Sequence, residues 1–461
     1  MKTFRVETLG CKVNQYESQQ IRQTLEQSGM TRVKPAQQPD LVVINTCCVT
    51  HIASSKSRQN IHRVQKANPD STIIVTGCLT IGPENEIGTL DNIIIVKDKD
   101  TLRPLLEGLS PPKKSSLINA KYSKPTNLYQ IKDKNPNLTS PHGVKQAGNL
   151  PYLAETLPVL TQFSGQSRAF LKVQDGCDAY CTYCIIPKIR TNVCNKDAKT
   201  VLEEAQNLID SGHKEVILTG IFLGAYGQTT TRRKNWDAGK LDSLAQLVDK
   251  IARLEGLERL RLSSLEPLDV TDSLLEVMTA HNNIAPHLHL PLQAGSANVL
   301  RKMARQYTLE DFLSVVEKVK KTFDRPAITT DIIVGFPGET ENDFQQTVKI
   351  AKEIGFAKIH VFSFSVRKNT AAEKMAKLFG TVGPQEIKRR SSILQTVDAE
   401  LQDRFRQSCA GLSEQVLIEK TNPPRGRCGR YFMVDASQIP DAKKLKKDQI
   451  ANVTLSIRSC F

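Results

Sequence analysis

The 461-residue sequence predicts an α/β protein: a parallel α/β domain at the N-terminus, a partial (β/α)6 barrel in the middle and a small domain of β-strands at the C-terminus. Three observations carry this. Apolar β-branched runs in the first hundred residues each end at a cysteine, strand-like and helix-like segments alternate six times from residue 167, and the last fifty residues alternate in short strands. At this length the prior is about three domains. The boundaries fall at 1–103, 104–166 (a proline-rich linker), 167–382, 383–410 (a connecting helix) and 411–461.

In the N-terminal domain residues 4–9 precede Gly10-Cys11, 41–44 precede Asn45-Thr46-Cys47, and 72–75 precede Thr76-Gly77-Cys78. Each run reads as a buried parallel strand, with helix-like segments at 15–27 and 54–66 after the first two. Carboxyl ends of parallel strands share one edge, where ligands bind, so Cys11, Cys47 and Cys78 meet there. Cys48 should point elsewhere and pack. Three unrelated buried cysteines are the competing reading.

Between 104 and 166, prolines at 111, 112, 125, 136, 141, 151 and 158 stand among Ser, Asn, Lys and Gly without an apolar period. That is linker composition, part of it flexible and bearing Lys113, Lys114, Lys121 and Lys124.

Strands are expected over 169–173, 215–219, 259–263, 287–290, 328–334 and 358–364, separated by helices over 198–209, 241–254, 272–279, 297–303, 309–323 and 343–354. Functional residues of such a barrel sit at the carboxyl ends of its strands. Cys177, Cys181 and Cys184 follow the first strand, in the run Gln-Asp-Gly-Cys-Asp-Ala-Tyr-Cys-Thr-Tyr-Cys. Cys-x3-Cys-x2-Cys offers three thiolates and no evident fourth, whereas structural zinc and ordinary electron-transfer clusters take four. A cubane with one open iron fits this count; a zinc loop completed by Cys194 is the alternative. Glu266 and Gln293, at other strand ends, can accept from a ribose diol or an amino group, followed by Asp331 and Gly220. His287 and His289 share a face toward the barrel mouth or serve structurally.

Eleven cysteines in a long chain, with no charged leader before an apolar run at the N-terminus, predict reduced thiols and no signal peptide. No apolar stretch approaches the ~20 residues of a membrane span. A net charge of +15 and pI near 9.2 favour a polyanionic partner such as nucleic acid. A cytoplasmic enzyme is expected.

The cysteine triad, with Tyr183 before its last member, resembles the radical S-adenosylmethionine (SAM) superfamily. Nearly the whole chain outside the linker resembles its methylthiotransferases, through Thr8-Leu9-Gly10-Cys11-Lys12-Val13-Asn14, Asn45-Thr46-Cys47, Thr76-Gly77-Cys78, Arg261-Leu262-Ser263-Ser264-Leu265-Glu266-Pro267, His287 through Ser296, Arg301-Lys302-Met303 and Gly335-Phe336-Pro337-Gly338-Glu339. The resemblance implies two 4Fe-4S clusters: one on Cys177, Cys181 and Cys184 that cleaves SAM, and an auxiliary one on Cys11, Cys47 and Cys78 that delivers sulfur; Glu266 and Gln293, then Asp331 and Gly220, are the candidates for binding SAM. It further implies that a first SAM methylates that sulfur and a second yields the radical that abstracts hydrogen from the target carbon. The run Leu218 to Gly227 resembles the branch that adds a methylthio group to carbon 2 of N6-threonylcarbamoyladenosine beside the tRNA anticodon. The isopentenyladenosine branch and the branch acting on a ribosomal-protein aspartate stay open, as does an RNA-binding iron-sulfur redox sensor. The tRNA anticodon stem-loop and a flavodoxin or ferredoxin as electron donor are the implied partners.

The chain departs from the family after the triad, where no Gly follows Arg190 and Cys194 is an additional thiol. Residues 385–408 read as one long helix, with Ile387, Leu394, Val397, Leu401 and Phe405 on one face. The last fifty residues, with strands over 415–418, 431–434 and 452–457, resemble the TRAM β-barrel that binds RNA in relatives. Arg425, Arg427 and Arg430 in basic turns would contact phosphate and Tyr431 or Phe432 would stack on bases.

Overall fold

The computed structural model describes residues 1–34, 36–82, 92–97, 99–109, 157–456 and 459; the four linker lysines lie outside them. Strands β1 (Thr3–Thr8), β2 (Thr31–Arg32), β3 (Leu41–Thr46), β4 (Thr72–Gly77) and β5 (Ile93–Ile95) form a parallel sheet in the order β2-β1-β3-β4-β5. Every residue of β3 is buried, which is why its sequence is a continuous apolar run rather than an alternating one. Helices α1 (Lys12–Gln27), α2 (His51–Ala67) and α3 (Cys78–Ile81) leave the carboxyl ends of β1, β3 and β4.

Helix α4 (Lys99–Gly108) carries Pro104 inside it and runs across the point where the linker is expected to begin. At the other end, Leu157, Leu160 and Phe163 are buried. The amides of Gln19, Gln20 and Gln23 on α1 donate to the carbonyls of Ser164 (2.7 Å), Pro158 (3.0 Å) and Val159 (2.6 Å). Both ends of the stretch read as a linker therefore carry fixed structure.

The six barrel strands are β6 (Arg168–Asp175), β8 (Glu215–Gly220), β9 (Arg259–Leu262), β10 (His287–His289), β11 (Ala327–Val334) and β12 (Lys358–Ser363); a two-residue β7 (Cys194–Asn195) pairs antiparallel with β6. Their ladders, β7-β6-β8-β9 and β10-β11-β12, are joined by the bridges Leu260 to Ile284 and Ser264 to His289. Among the described residues no ladder joins β12 to β6. Leu260, Leu262, Leu288, Leu290, Ile328 and Ile332 pack outward in the core. The alternate residues Arg259, Arg261, His287, His289, Thr329 and Asp331 consequently face inward. Helices α5 (Ile186–Ile189), α6 (Ala198–Asp210), α7 (Ser243–Ala252), α8 (Asp272–Ala280), α9 (Ala297–Lys302), α10 (Leu309–Thr322), α11 (Glu341–Ile354) and α12 (Ala371–Phe379) connect or follow the strands. Helix α13 (Pro384–Ser408) buries Leu394, Val397 and Leu401.

The N-terminal sheet touches both flanks of the gap. On one side Tyr16 of α1 donates to Glu204 of α6 (2.6 Å), and on the other Arg367, beyond β12, reaches the Cys48 carbonyl and Ser54 Oγ.

Strands β13 (Ser413–Thr421), β14 (Pro424–Cys428), β15 (Met433–Asp435) and β16 (Ile450–Thr454) form an antiparallel sheet ordered β15-β14-β13-β16. It sits against the amino ends of the barrel strands. Glu215 holds Arg259 and Arg261 at 2.9 Å each. Arg259 also donates to the carbonyls of Arg427 (3.1 Å) and Gln415 (2.5 Å), and Arg261 to those of Gly429 (2.9 Å) and Cys428 (3.1 Å).

Candidate functional site

The first cysteine set is assembled by strand ends. Gly10 stands at φ 109° and Gly77 at φ 95°, a region that side-chain-bearing residues avoid, and each turns the chain so that the next residue, Cys11 or Cys78, opens a helix. A Cβ on Gly10 would lie 2.7 Å from Cys47 Cβ and 3.0 Å from its sulfur, so glycine is what lets Cys47 approach. Asn14 pins the edge by donating to the carbonyls of Leu9 and Thr46, both at 2.8 Å. Burial, opposed by nearby Arg190, raises the thiol pKa of Cys11 and pushes Cys47 up to about 11; both also feel Cys78. Cys48 turns away: its sulfur donates to the Cys78 carbonyl (3.2 Å) within an apolar cluster.

The second set follows β6. Its loop is tied to the end of α9, where Thr182 N–H donates to the Met303 carbonyl (3.0 Å) and its hydroxyl to that of Lys302 (2.9 Å). Thr231 Oγ1 lies 3.3 Å from Cys177 Sγ, and Asp178 accepts from Thr230 and Thr231. Burial pushes Cys177 up to about 11 and Cys184 to about 12, and raises Cys181 against the opposing charge of Arg305. Bound iron would hold all three as thiolates, because a coordinating metal ion deprotonates a thiol. Each set offers three soft sulfur donors, as an iron-sulfur cubane with one open iron requires.

Arg190 links the two sets. Its carbonyl accepts from Cys177 N–H (3.0 Å), while its buried guanidinium pairs with Glu17 of α1 (2.9 Å) and Asp175 of β6 (2.8 Å) and acts on Cys11 and Cys47. Both sets thus lie on one side of the molecule, where the N-terminal sheet meets the carboxyl ends of the barrel strands.

Of the SAM candidates, Glu266 stands beside the second set. Arg305 donates to one of its oxygens and, from Nη1, to Cys181 Sγ and the Tyr183 hydroxyl, both at 3.1 Å. The other oxygen, Oε2, is buried without a partner among the described residues, which fits a ligand bearing hydroxyl or ammonium donors. Gln293, at φ 63°, is held by backbone bonds to Asp331 (2.8 Å) and Ile333 (2.9 Å). Gly220 ends β8 where a Cβ would meet the Gln174 side chain at 3.1 Å. Asp331, level with Glu266 by strand register, lies 3.3 Å from His289 and with His360 forms a polar group whose ligand atoms fall within 4.8 Å of one another. His287, two residues before His289 on β10, is buried against Thr329 (3.0 Å). Cys194 on β7 pairs with Asp175, its sulfur 3.7 Å from the Asn192 carbonyl.

The C-terminal arginines correct the expectation of a basic turn. Arg425 and Arg427 lie on β14, and Arg430 is buried, pairing with Glu414 and donating to the carbonyls of Arg325 and Asp324 at 2.8 Å each. Its fork is consumed inside the protein, so it is not available to phosphate. Arg427 donates to the Tyr431 carbonyl (2.7 Å), and Arg425, 42% exposed, lies 3.9 Å from Asp435. Arg190 and Arg305 had no sequence signal of their own, although Arg305 lies just beyond the Arg301-Lys302-Met303 run.

No helix of the described residues is long and apolar enough to cross a membrane. Residues 3–96 match a family described as uncharacterized protein family UPF0004, and residues 171–351 match the radical SAM superfamily. The chain is 37% identical over 375 residues to the threonylcarbamoyladenosine tRNA methylthiotransferase MtaB of Bacillus subtilis, covering 81% of this chain and 76% of that protein. It is 30% identical over 424 residues to a tRNA-2-methylthio-N6-dimethylallyladenosine synthase of Clostridium botulinum, covering 91% and 86%. In fold it is similar to the radical SAM methyltransferase TsrM of Kitasatospora setae, with a TM-score of 0.53 at 13% identity over 81% of this chain and 74% of that one. With these matches spanning both cysteine sets, the chain belongs to the radical SAM tRNA methylthiotransferases.

Proposed function

We propose that this enzyme adds a methylthio group to carbon 2 of N6-threonylcarbamoyladenosine beside the tRNA anticodon, using two 4Fe-4S clusters and SAM. The observation that carries the reading is the linkage of two three-cysteine sets through Arg190, since sulfur insertion needs a sulfur source and a SAM-cleaving centre at one substrate. When bound, the clusters supply the electron that cleaves SAM and the sulfur that is transferred. The protein supplies the rest. Cys177, Cys181 and Cys184 would hold one cluster and Cys11, Cys47 and Cys78 the other. Glu266, positioned by Arg305, would accept from SAM, with Gln293, Gly220 and Asp331 lining its seat.

The greater identity to the threonylcarbamoyl enzyme favours that substrate over the prenylated one. For RNA, Tyr180 lies 52% exposed between two ligand cysteines with Arg232 over its ring at 4.2 Å, a surface on which a base can stack. Arg425 and the four linker lysines would add phosphate contacts in the cytoplasm, and a flavodoxin or ferredoxin would supply electrons. Mass spectrometry of tRNA nucleosides from a deletion strain tests the reading. The 2-methylthio-threonylcarbamoyl nucleoside should vanish while its unmethylthiolated parent accumulates; loss of the prenylated product, or of a modified ribosomal-protein aspartate, would overturn it.

A further inference from the structure

Three barrel strands bring a further donor set together, apart from both groups of cysteines. Asp331 of β11 and His360 of β12 pair in register, and His289 of β10 stands opposite Thr329, two residues before Asp331. His289 and Asp331 point inward from their strands, and the register puts His360 on the same face. One ligand atom from each of the three lies within 4.8 Å of the others. The group sits inside the barrel at the height of Glu266, the acceptor beside the second cysteine set.

The separations suit one ion. Ligand bonds of about 2.1 Å put two donors around a divalent ion about 3.0–3.4 Å apart, depending on its geometry. His289 Nε2 and Asp331 Oδ2 stand 3.3 Å apart, and their side chains are 17% and 27% exposed, so solvent reaches both. His289 is the only ion-pair partner of the Asp331 carboxylate among the described residues. The His360 ring, its centroid 5.9 Å from that of His289, makes no side-chain hydrogen bond among the described residues. A small rotation of that unbonded ring closes the remaining distance.

The residues behind the group fix its orientation. Thr329 Oγ1 lies 2.9 Å from His289 Nδ1 and 3.0 Å from His287 Nε2. His287 is itself clamped, being buried and stacked on the Tyr431 ring with centroids 4.5 Å apart. A hydroxyl has one proton to give. When Thr329 gives it to His287 and accepts from His289 Nδ1–H, the lone pair of His289 Nε2 is turned toward the Asp331 carboxylate, and a cation between them satisfies both. An imidazole held through Nδ1 so that Nε2 can ligate is the common support of a metal-binding histidine. The opposite order of protons closes His289 and Asp331 as a pair without an ion. That pair leaves His360 beside it without a partner, whereas an ion engages all three.

We propose that His289, Asp331 and His360 bind one divalent transition-metal ion, with Thr329 as the positioning residue. Two imidazoles and one carboxylate suit ions such as iron(II), manganese(II) or zinc(II). Three protein ligands leave coordination positions open toward the barrel interior, for water or for an oxygen donor of a bound molecule. The inference rests neither on the sulfur chemistry nor on the choice of modified adenosine.

The test uses the full-length, cluster-loaded enzyme and manganese(II) as the probe, because this hard ion competes poorly for thiolates. The room-temperature EPR sextet of the free ion reports how much is bound. Wild type should take up a single equivalent, and the bound ion should show spin-echo modulation from imidazole nitrogen. His360→Ala should abolish that uptake while iron and acid-labile sulfide stay at wild-type levels. If His360→Ala loses iron, His360→Phe repeats the test with a ring of similar size that cannot ligate. Thr329→Val should weaken binding about tenfold, the cost of a lost orienting partner, and Thr329→Ser should restore it. No uptake by wild type, undiminished uptake in both His360 variants, or bound manganese without nitrogen modulation would overturn the proposal in favour of the ion-free pair. An unchanged affinity in Thr329→Val would strike the positioning role.

Discussion

Cys47 and Cys48 are adjacent and chemically identical, and the fold separates them. Cys47 follows the last residue of β3 and faces Gly10, while Cys48 donates into the backbone of Cys78. Cys47→Ala should therefore lose the iron held at the strand edge, about half of the total for two equal cubanes. Cys48→Ala should keep it, and iron and acid-labile sulfide assays that show the reverse would place the register one residue off. This much was legible, because parallel strands of similar length end at one edge whatever packs around them. Glu266 could likewise be read as a strand-end acceptor, and it does stand at the second set. Asp331, the lesser candidate at a strand end, is grouped with His289 and His360 from two other strands, a meeting that no spacing encodes. Arg190 and Arg305 were not legible as organisers. An arginine in a loop has no period, and their partners lie up to 176 residues away in sequence.

Among the elements, the barrel strands and the helices that were expected emerge within a few residues of where apolar periodicity puts them, whereas α4 and α12 had no such signal and β14 was mistaken for a turn. Its residues alternate Arg425, Gly426, Arg427, Cys428, and Gly426 packs so close to the Leu417 carbonyl that no side chain fits. A strand whose core face is glycine reads as a basic turn because the apolar half of the alternation is missing. The linker boundary at 104 likewise falls inside α4, which continues past Pro104 to Gly108. Helix α11 shows local sequence and tertiary placement acting together. Thr340 caps it, and Asp343 completes a capping box while accepting from Ser296 (2.6 Å) and Asn298 (3.3 Å) in the segment that starts α9. Burial would raise the Asp343 pKa, but bonds from Ser296, Thr340 and Asn298 bring it down to about 2. Because the folded value lies below the unfolded one, the stabilisation is complete above roughly pH 4 and fades as pH falls toward 2. Asp343→Ala should cost about 2 kcal/mol at pH 7. In denaturant titrations the difference from wild type should shrink between pH 4 and 2; a pH-independent gap would assign the loss to packing instead.

On the scale of the molecule, each end of the half-barrel is closed by a different part of the chain. The N-terminal sheet brings its cysteines to the carboxyl ends of the strands, and the C-terminal sheet supplies a floor at the amino ends. The floor depends on one buried carboxylate. Glu215 is fully buried, and although burial would raise its pKa, Arg261, Arg259 and Arg168 hold it below the ordinary carboxylate range. It fixes the two arginines whose remaining donors are satisfied by carbonyls of β13, β14 and the turn at Gly429. Sequence alone showed Glu215 only as the first residue of a strand. Its partners come from β9, and the carbonyls that complete those arginines lie a further 156 to 168 residues along the chain. Removing residues 411–461 to test for RNA contact would accordingly strip carbonyl acceptors from Arg259 and Arg261 and the ring from His287, confounding loss of binding with loss of fold. Glu215→Ala is the cleaner probe of the docking. It leaves two guanidinium groups buried without a counter-charge, a loss of about 3–5 kcal/mol when one partner of a buried pair is removed. The variant should unfold at lower denaturant and release a fragment of the C-terminal sheet under limited proteolysis well before wild type does. A wild-type unfolding curve with an unchanged cleavage pattern would mean that the carbonyl bonds and the Tyr431 stack hold the floor without it.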